Sequence, residues 1–106
     1  MRLDGKIILI TGGSRGIGKS IAELFTKEGA KVIITSKNET ALKKTAKELG
    51  NIFYVKGDIT KKNDVNNVVK KIIKKFGRID VLINNAGVFP KFKKLHNISE
   101  NEWKEV

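Results

Sequence analysis

Two kinds of hydrophobic pattern follow one another along this chain. Short apolar runs without polar alternation predict strands that are covered on both faces. Segments with apolar residues three and four positions apart predict helices. The predicted strands cover residues 7–10, 31–35, 52–55 and 78–83. A helix follows each of the first three strands, and these helices are predicted to end at Gly29, Gly50 and Gly77.

The remaining boundaries are indicated by capping and turn residues. Thr60 is the predicted N-cap of the third helix. Residues 88–98 have no clear period and predict a loop. The capping box formed by Ser99 and Glu102 predicts a helix that begins near the end of the chain. Alternating strands and helices predict an α/β fold, with a parallel sheet and helices on both faces.

A glycine-rich loop joins the first strand to the first helix. Gly12, Gly16 and Gly18 have a spacing similar to the dinucleotide-binding fingerprint. Residues 13–20, however, also satisfy the G-x-x-x-x-G-K-[ST] motif of nucleotide triphosphatases, from Gly13 to Ser20. Both motifs place a phosphate on bare backbone at a helix N-terminus. The loop therefore leaves a Rossmann-type dinucleotide domain and a phosphate-loop nucleotide binder open.

Chain length and composition limit the number of domains and the kinds of site that this protein can have. The chain has 106 residues, which predicts one domain over residues 1–106. It has no cysteine, so disulfides and thiolate metal sites are excluded, and no metal site is predicted. No signal peptide or membrane span is evident, which predicts a cytoplasmic protein without a membrane partner.

The net charge of +11 raises the possibility of nucleic-acid binding. Most of the basic residues are lysines spread over every predicted helix, and the arginines are Arg2, Arg15 and Arg78. Arginine is the residue best suited to bidentate base or phosphate contacts. A solvated lysine-rich surface therefore explains the charge better than a nucleic-acid site.

Several polar segments follow directly after predicted strands. In a parallel sheet such segments meet at one edge, where ligands bind. They are the glycine loop, Ser36–Lys37, Asp58–Ile59 and Asn84–Gly87. We expect them to form one crevice.

Three of these segments resemble the short-chain dehydrogenase/reductase family. Residues 11–18 resemble its cofactor loop, Asp58 its acidic residue after the third strand, and residues 84–87 its N-N-A-G motif. Trp103 is placed where a tryptophan often opens the next helix of the family. The resemblance covers essentially the whole chain and implies an oxidoreductase that binds a nicotinamide dinucleotide.

The resemblance also implies roles for individual residues. Asp58 would hydrogen-bond the adenine, with Ile59 beside it in the crevice. Asn85, Ala86 and Gly87 would lie under the nicotinamide ribose or brace the sheet. The loop residues implied to surround the pyrophosphate and ribose are Gly12, Ser14, Arg15, Gly16, Ile17 and Gly18.

The end of the second strand predicts which dinucleotide is preferred. An NAD site uses an acidic residue about 20 residues beyond the glycines to bind the 2′-hydroxyl. Residues 35–38 of this chain contain no acidic residue. Lys37 and Arg15 could instead flank a 2′-phosphate, so NADP is predicted over NAD.

The phosphate-loop alternative requires an acidic residue at the end of another strand to organise Mg²⁺. The fourth strand ends in Asn84 and Asn85, and Asp80 lies near its start. The third strand leads to Asp58, which keeps the alternative open.

The catalytic residues that the family resemblance implies have no match in this chain. The family uses a tyrosine with a lysine four residues later, which lowers the pKa of the phenol. Tyr54 is followed at that distance by Asp58, and we expect it to pack against a helix. His96 has no partner acid near it. The sequence thus predicts no catalytic residue, and a cofactor-binding portion that is inactive alone.

The inferred strand order is 3-2-1-4, with the chain truncated after the fourth strand. Residues 81–83 would then form an open apolar edge, which is a template for pairing with another chain. We therefore expect a homo-oligomer that covers this edge or the neighbouring helices.

Overall fold

A computed structural model describes residues 3–14 and 16–85. The strands and helices alternate along the chain as predicted. The elements are β1 Ile7–Thr11, α1 Gly16–Lys27, β2 Lys31–Ser36, α2 Glu39–Glu48, β3 Phe53–Lys56, α3 Lys62–Phe76 and β4 Val81–Asn84. The predicted loop over residues 88–98, the helix from Ser99, His96 and Trp103 lie outside the described residues.

The four strands form one parallel sheet in the order β3-β2-β1-β4. The predicted order is therefore confirmed. β1 lies between β2 and β4, and its Leu9 is in register with Ile33 on one side and Leu82 on the other. All five residues of β1 are buried, because a strand pairs with β1 on each side and helices cover both faces of the sheet.

Helices cover both faces of the sheet, and each face has its own apolar core. Ile8 and Ile10 of β1 pack in one core with Ala22 of α1 and Leu42 of α2. Leu9 and its neighbours on the opposite face pack against α3. The buried residues that α3 adds to this second core are Val65, Val68, Val69 and Ile72. Because successive strand residues face opposite sides, this two-sided burial explains the uninterrupted apolar runs.

The predicted N-cap of α3 is wrong. The N-cap position belongs to Lys61, whose side chain makes no capping hydrogen bond. Thr60 lies one residue earlier and donates to Asp58 Oδ1, from its amide at 3.0 Å and from its hydroxyl at 2.6 Å. The Asp64 carboxylate turns back to accept the amide of Asp58 at 2.8 Å. These bonds hold Thr60 in a turn before the helix instead of at its cap.

β4 begins at Val81, three residues later than predicted. At Asp80 a side-chain oxygen, Oδ2, accepts the amide of Ile7 at 2.7 Å. A carboxylate thus replaces a backbone carbonyl as the partner of β1 at this point. The predicted end of α3 is confirmed: Gly77 is its C-cap with φ of 88°, a left-handed conformation that favours glycine.

Candidate cofactor site

The carboxyl ends of β1, β2 and β3 surround a cavity of about 440 Å³, a volume typical of small-molecule sites. The segments that follow these three strands contribute to its lining, as predicted, but Asn84 and Asn85 at the end of β4, which were expected in the same crevice, do not line it. Five of the predicted site residues line it: Gly12, Ser14, Lys37, Asp58 and Ile59. The elements bring these residues together because the sheet is parallel, so every strand ends at the same edge.

The first residue of the glycine loop is hydrogen-bonded to β2. Gly12 has φ of 66°, and its amide donates to the carbonyl of Thr35 at 2.9 Å. A Cβ atom on Gly13 would lie 2.5 Å from Cγ2 of Ile34, closer than real Cβ atoms approach. Glycine at this second position therefore allows the loop to lie directly on β2.

Helix α1 begins where the loop ends, and its first turn contains no acidic side chain. The partial positive charge of its free N–H groups is therefore not neutralised within the helix. This combination of free amides and bare glycine backbone suits an anionic phosphate.

Gly18 permits the close approach of α1 to the ends of β1 and β4. A Cβ atom on Gly18 would overlap the carbonyl oxygen of Gly12 and would lie 2.7 Å from Asn85 Nδ2. That Nδ2 donates to the same Gly12 carbonyl at 3.4 Å. The described structure therefore shows Asn85 as a brace between β4 and the loop. Its predicted contact with a nicotinamide ribose stays a prediction.

The other predicted loop residues lie away from the lining of the cavity or outside the description. Gly16 is exposed, and Ile17 is an apolar residue with 71% of its surface exposed. Arg15, Ala86 and Gly87 lie outside the described residues. Their predicted contacts with the cofactor therefore remain predictions.

The turn after β2 forms one wall of the cavity. Lys37 is exposed in this turn, and the next residue, Asn38, caps α2 by accepting the amide of Ala41 at 3.0 Å. The hydroxyl of Ser36 accepts the amide of Asn38 at 3.3 Å. Among the described residues that line the cavity, Asp58 alone has an acidic side chain. The wall next to Lys37 thus carries positive charge and hydrogen-bonding groups.

Asp58, which also lines the cavity, is held as a carboxylate. The hydroxyl of Thr60, followed by the amide of Thr60, lowers the pKa of Asp58. The charges of Lys37 and Lys61 lower this pKa further. An ionised carboxylate accepts hydrogen bonds only, so this group can receive an amino group of a bound base.

The structure accounts for the phosphate-loop motif without a triphosphate. Nζ of Lys19 lies 2.6 Å from Oε1 of Glu48 at the end of α2, and this hydrogen bond lowers the pKa of Glu48. The hydroxyl of Ser20 donates to the carbonyl of Gly16 at 3.3 Å. Asp80 lies at the amino end of β4, at the opposite edge of the sheet from the loop. The phosphate-loop alternative is therefore not supported.

The sequence reasoning missed the contact between Thr45 and the loop. Thr45 lies on the buried face of α2, and it is 3% exposed. Its hydroxyl donates to the carbonyl of Ser14 at 2.6 Å. The available signal was that a hydroxyl on a buried face requires a hydrogen-bond partner. The pattern alone could not identify that partner, 31 residues away.

Tyr54 occupies the position predicted for it, half-buried in β3 and packed against the core that α1 and α2 share. None of the helices within residues 3–14 and 16–85 has the length and apolar composition of a membrane span.

Comparison with known proteins gives a consistent assignment. A family model described as short chain dehydrogenase matches residues 6–106. The chain is 40% identical over 103 residues to short-chain dehydrogenase reductase 3b of Arabidopsis thaliana, covering 95% of this chain and 40% of that protein. It is 39% identical over 89 residues to L-fucose dehydrogenase of Bos taurus, covering 84% of this chain and 33% of that protein.

A solved structure extends the likeness to three dimensions. The Pseudomonas aeruginosa RhlG/NADP active-site complex superposes with a TM-score of 0.76 and 34% identity, over 82% of this chain and 36% of that one. The chain thus spans about a third to two fifths of the length of the proteins it matches. It belongs to the short-chain dehydrogenase/reductase family of oxidoreductases, whose members bind a nicotinamide dinucleotide.

Proposed function

We propose that this chain is the NADP-binding portion of a reductase or dehydrogenase that transfers hydride between NADP(H) and a carbonyl or alcohol substrate. The observation that carries the proposal is the cavity at the carboxyl ends of β1–β3. Its lining includes Gly12 and Ser14 of the glycine loop, together with Lys37 and Asp58. The bound nicotinamide would supply or accept the hydride. The chain would bind and orient the dinucleotide.

The described residues fit the diphosphate bridge of such a nucleotide. Glycines at positions 13 and 18 keep Cβ atoms out of the space where the loop, β2 and α1 meet. Gly12 has a φ of 66°, a left-handed conformation that favours glycine. The amides at the start of α1 provide donors, with no acidic side chain in that turn to compete. The loop would therefore bind the diphosphate through backbone groups.

The preference for NADP over NAD rests on the turn after β2. A carboxylate there would accept hydrogen bonds from a 2′-hydroxyl and would repel a 2′-phosphate. Ser36, Lys37 and Asn38 line the cavity at this point instead. Lys37 can pair with a phosphate, and the Ser36 hydroxyl can donate to it. RhlG, a related protein of known structure, forms a complex with NADP, which supports this proposal.

We further propose that the chain binds the dinucleotide without transferring hydride by itself. Tyr54 packs in the β3 layer, and Asp58, four residues later, cannot lower the pKa of a phenol as a lysine does. Single-turnover assays with simple ketones and NADPH would test this proposal. Oxidation of NADPH by the isolated chain would contradict it.

A second copy of the chain is the partner that we propose for β4. Among the described residues β4 pairs with β1 alone, and Val81, Leu82 and Ile83 are half-buried. An apolar edge of this kind can pair with another strand. Light scattering at increasing concentration tests this, and a monomer at every concentration would contradict it.

The cytoplasmic location stays a prediction from the sequence, which cell fractionation would test.

Calorimetric titration with NADPH, NADH and ATP tests the main proposal. We expect NADPH to bind most tightly, with NADH weaker by about tenfold or more, since a charge-assisted hydrogen bond contributes about 1.5–3 kcal/mol. Equal affinities for NADPH and NADH would contradict the preference only. Tighter binding of ATP, or binding of no dinucleotide, would overturn the proposed function.

A further inference from the structure

The buried hydroxyl of Thr45 joins α2 to the glycine loop. Thr45 is 3% exposed and lies on the same helix face as Leu42 and Ala46, whose side chains pack in the apolar core. Its Oγ1 donates to the carbonyl of Ser14 at 2.6 Å. A polar group in this position costs free energy unless it is hydrogen-bonded, so the bond to the loop satisfies both groups.

This bond fixes a carbonyl that would otherwise oppose an anion. Ser14 lines the cavity, and a carbonyl oxygen carries partial negative charge. If that oxygen turned toward a phosphate, it would repel the ligand and would displace the amides that attract it. Its bond to Thr45 directs it to a donor on α2. The loop is thus held at Gly12 by β2 and at Ser14 by α2.

The same helix also begins at the turn that contains Lys37. Asn38 is the N-cap of α2, and Thr45 lies seven positions further along the helix. At 1.5 Å per residue, these two points are about 10 Å apart along a rigid helix axis. α2 therefore sets the spacing between the turn after β2 and the glycine loop.

We infer that Thr45 is a positioning residue: by holding Ser14, it keeps the loop in the conformation that receives the diphosphate of the dinucleotide. This inference rests on the proposed function for the identity of the ligand. The hydrogen bond itself is a property of the protein alone, and it can be tested without any ligand.

The experiment compares Thr45→Val, which removes the hydroxyl, with Thr45→Ser, which retains it. The probes are NADPH and adenosine 2′-monophosphate, which lacks the diphosphate. We expect Thr45→Val to lower the affinity for NADPH by about tenfold, equivalent to the loss of one hydrogen bond. The affinity for adenosine 2′-monophosphate should stay within about twofold of the wild-type value. Thr45→Ser should bind NADPH like the wild type.

Thr26→Val is the matched control. The Thr26 hydroxyl donates to the Ala22 carbonyl at 2.7 Å within α1, so this variant loses a comparable bond that does not touch the loop. Its affinity for NADPH should be unchanged. If Thr45→Val does not fold, Thr45→Ala replaces it, since alanine removes the hydroxyl without placing a second methyl against Ser14.

A second readout is amide hydrogen exchange over residues 12–18 in the free protein. Thr45→Val should accelerate exchange in this segment, with α3 unchanged. The inference is overturned if Thr45→Val binds NADPH like the wild type, if Thr45→Ser is as weak as Thr45→Val, or if exchange in the loop is unaffected. A wild type that binds no dinucleotide would refute the proposed function, and the exchange comparison would then decide the role of Thr45 in the loop.

Discussion

The backbone amide of Asn85 donates to the hydroxyl of Thr11 at 3.0 Å. This bond connects the end of β4 to the end of β1, at the point where the chain enters the glycine loop. Thr11 is fully buried, and its hydroxyl also lies 3.0 Å from Oδ1 of Asn84. One buried hydroxyl therefore holds two strand ends beside the candidate cofactor site.

Replacement of Thr11 by valine should break this connection. The amide of Asn85 would lose its partner in a partly buried position, which costs about 1–3 kcal/mol of stability. Urea unfolding measures the loss, and affinity for NADPH should fall with it because Asn85 also contacts Gly12. Thr11→Ser keeps the hydroxyl and is the control. Equal stability of Thr11→Val and Thr11→Ser would show that the hydroxyl does not contribute.

Replacement of Gly18 by alanine should abolish the close approach of α1 to the loop. The new methyl group would overlap the Gly12 carbonyl and the Asn85 side chain, so α1 must move outward. We expect a loss of about 1–3 kcal/mol in stability and more than tenfold in NADPH affinity. Ser20→Ala, in the same turn but exposed, should change neither quantity. A Gly18→Ala variant with wild-type affinity would contradict the proposed role of the loop.

Lys37→Glu should reverse the dinucleotide preference. A carboxylate in this turn can accept hydrogen bonds from a 2′-hydroxyl and repels a 2′-phosphate. NADPH binding should weaken by more than tenfold, while NADH binding is retained or improved. Lys43 is exposed on α2 and does not line the cavity, so Lys43→Glu makes the same charge change away from the site and controls for net charge. If both variants lower the affinity for NADPH equally, Lys37 does not contact the 2′-phosphate.

Lys19→Gln distinguishes the dinucleotide site from a phosphate loop. Lys19 pairs with Glu48 in the free protein, so its loss should leave NADPH affinity within about twofold of the wild type. Exposed ion pairs contribute little to stability, and the thermal midpoint should hardly move. Glu48→Gln removes the same ion pair and should behave alike. A large loss of nucleotide affinity in Lys19→Gln alone would favour the phosphate-loop function.

Asp80 is expected to contribute stability that depends on pH. Burial opposes its ionisation, but hydrogen bonds from the Ile7 amide and Arg78, with the charges of Arg78 and Lys6, outweigh burial and lower the pKa of Asp80 below its ordinary value of 3.8. A group whose pKa is lowered by folding stabilises the protein fully above its unfolded pKa. That stabilisation is lost as the pH falls through the folded pKa.

Asp80→Asn should therefore destabilise the protein at pH 7 by about 1.5–3 kcal/mol, the range for hydrogen bonds to a charged group. The difference from the wild type should shrink in urea titrations performed below about pH 4. Glu23→Gln, which removes an exposed ion pair with Lys27 at 3.9 Å, is the control and should show no such trend. A difference that stays constant from pH 7 to pH 3 would contradict the proposed ionic contribution.

The amino-acid sequence by itself determined the order of strands and helices and the family of this protein. Apolar runs such as residues 7–10 and glycines such as Gly77 are local signals, because burial on both sheet faces and left-handed backbone geometry each restrict the residue type. The glycine loop, Asp58 and Asn85 could likewise be recognised from residue type and spacing. The N-cap at Thr60 and the start of β4 were misplaced, since the side chains of Thr60 and Asp80 donate or accept bonds that residue type alone does not predict. The ends of β1, β2 and β3 differed from the predicted ones by one residue.

Tertiary structure decided which partners these side chains have. It placed Lys19 against Glu48, which removed the support for the phosphate-loop function. It also directed the hydroxyl of Thr45 to Ser14 and connected Asn85 to Gly12. These pairs are 29 to 73 residues apart in the chain. Hydrophobic periodicity shows which residues are buried, but a hydrogen-bond partner depends on where distant elements pack, and that relation exists only in the folded protein.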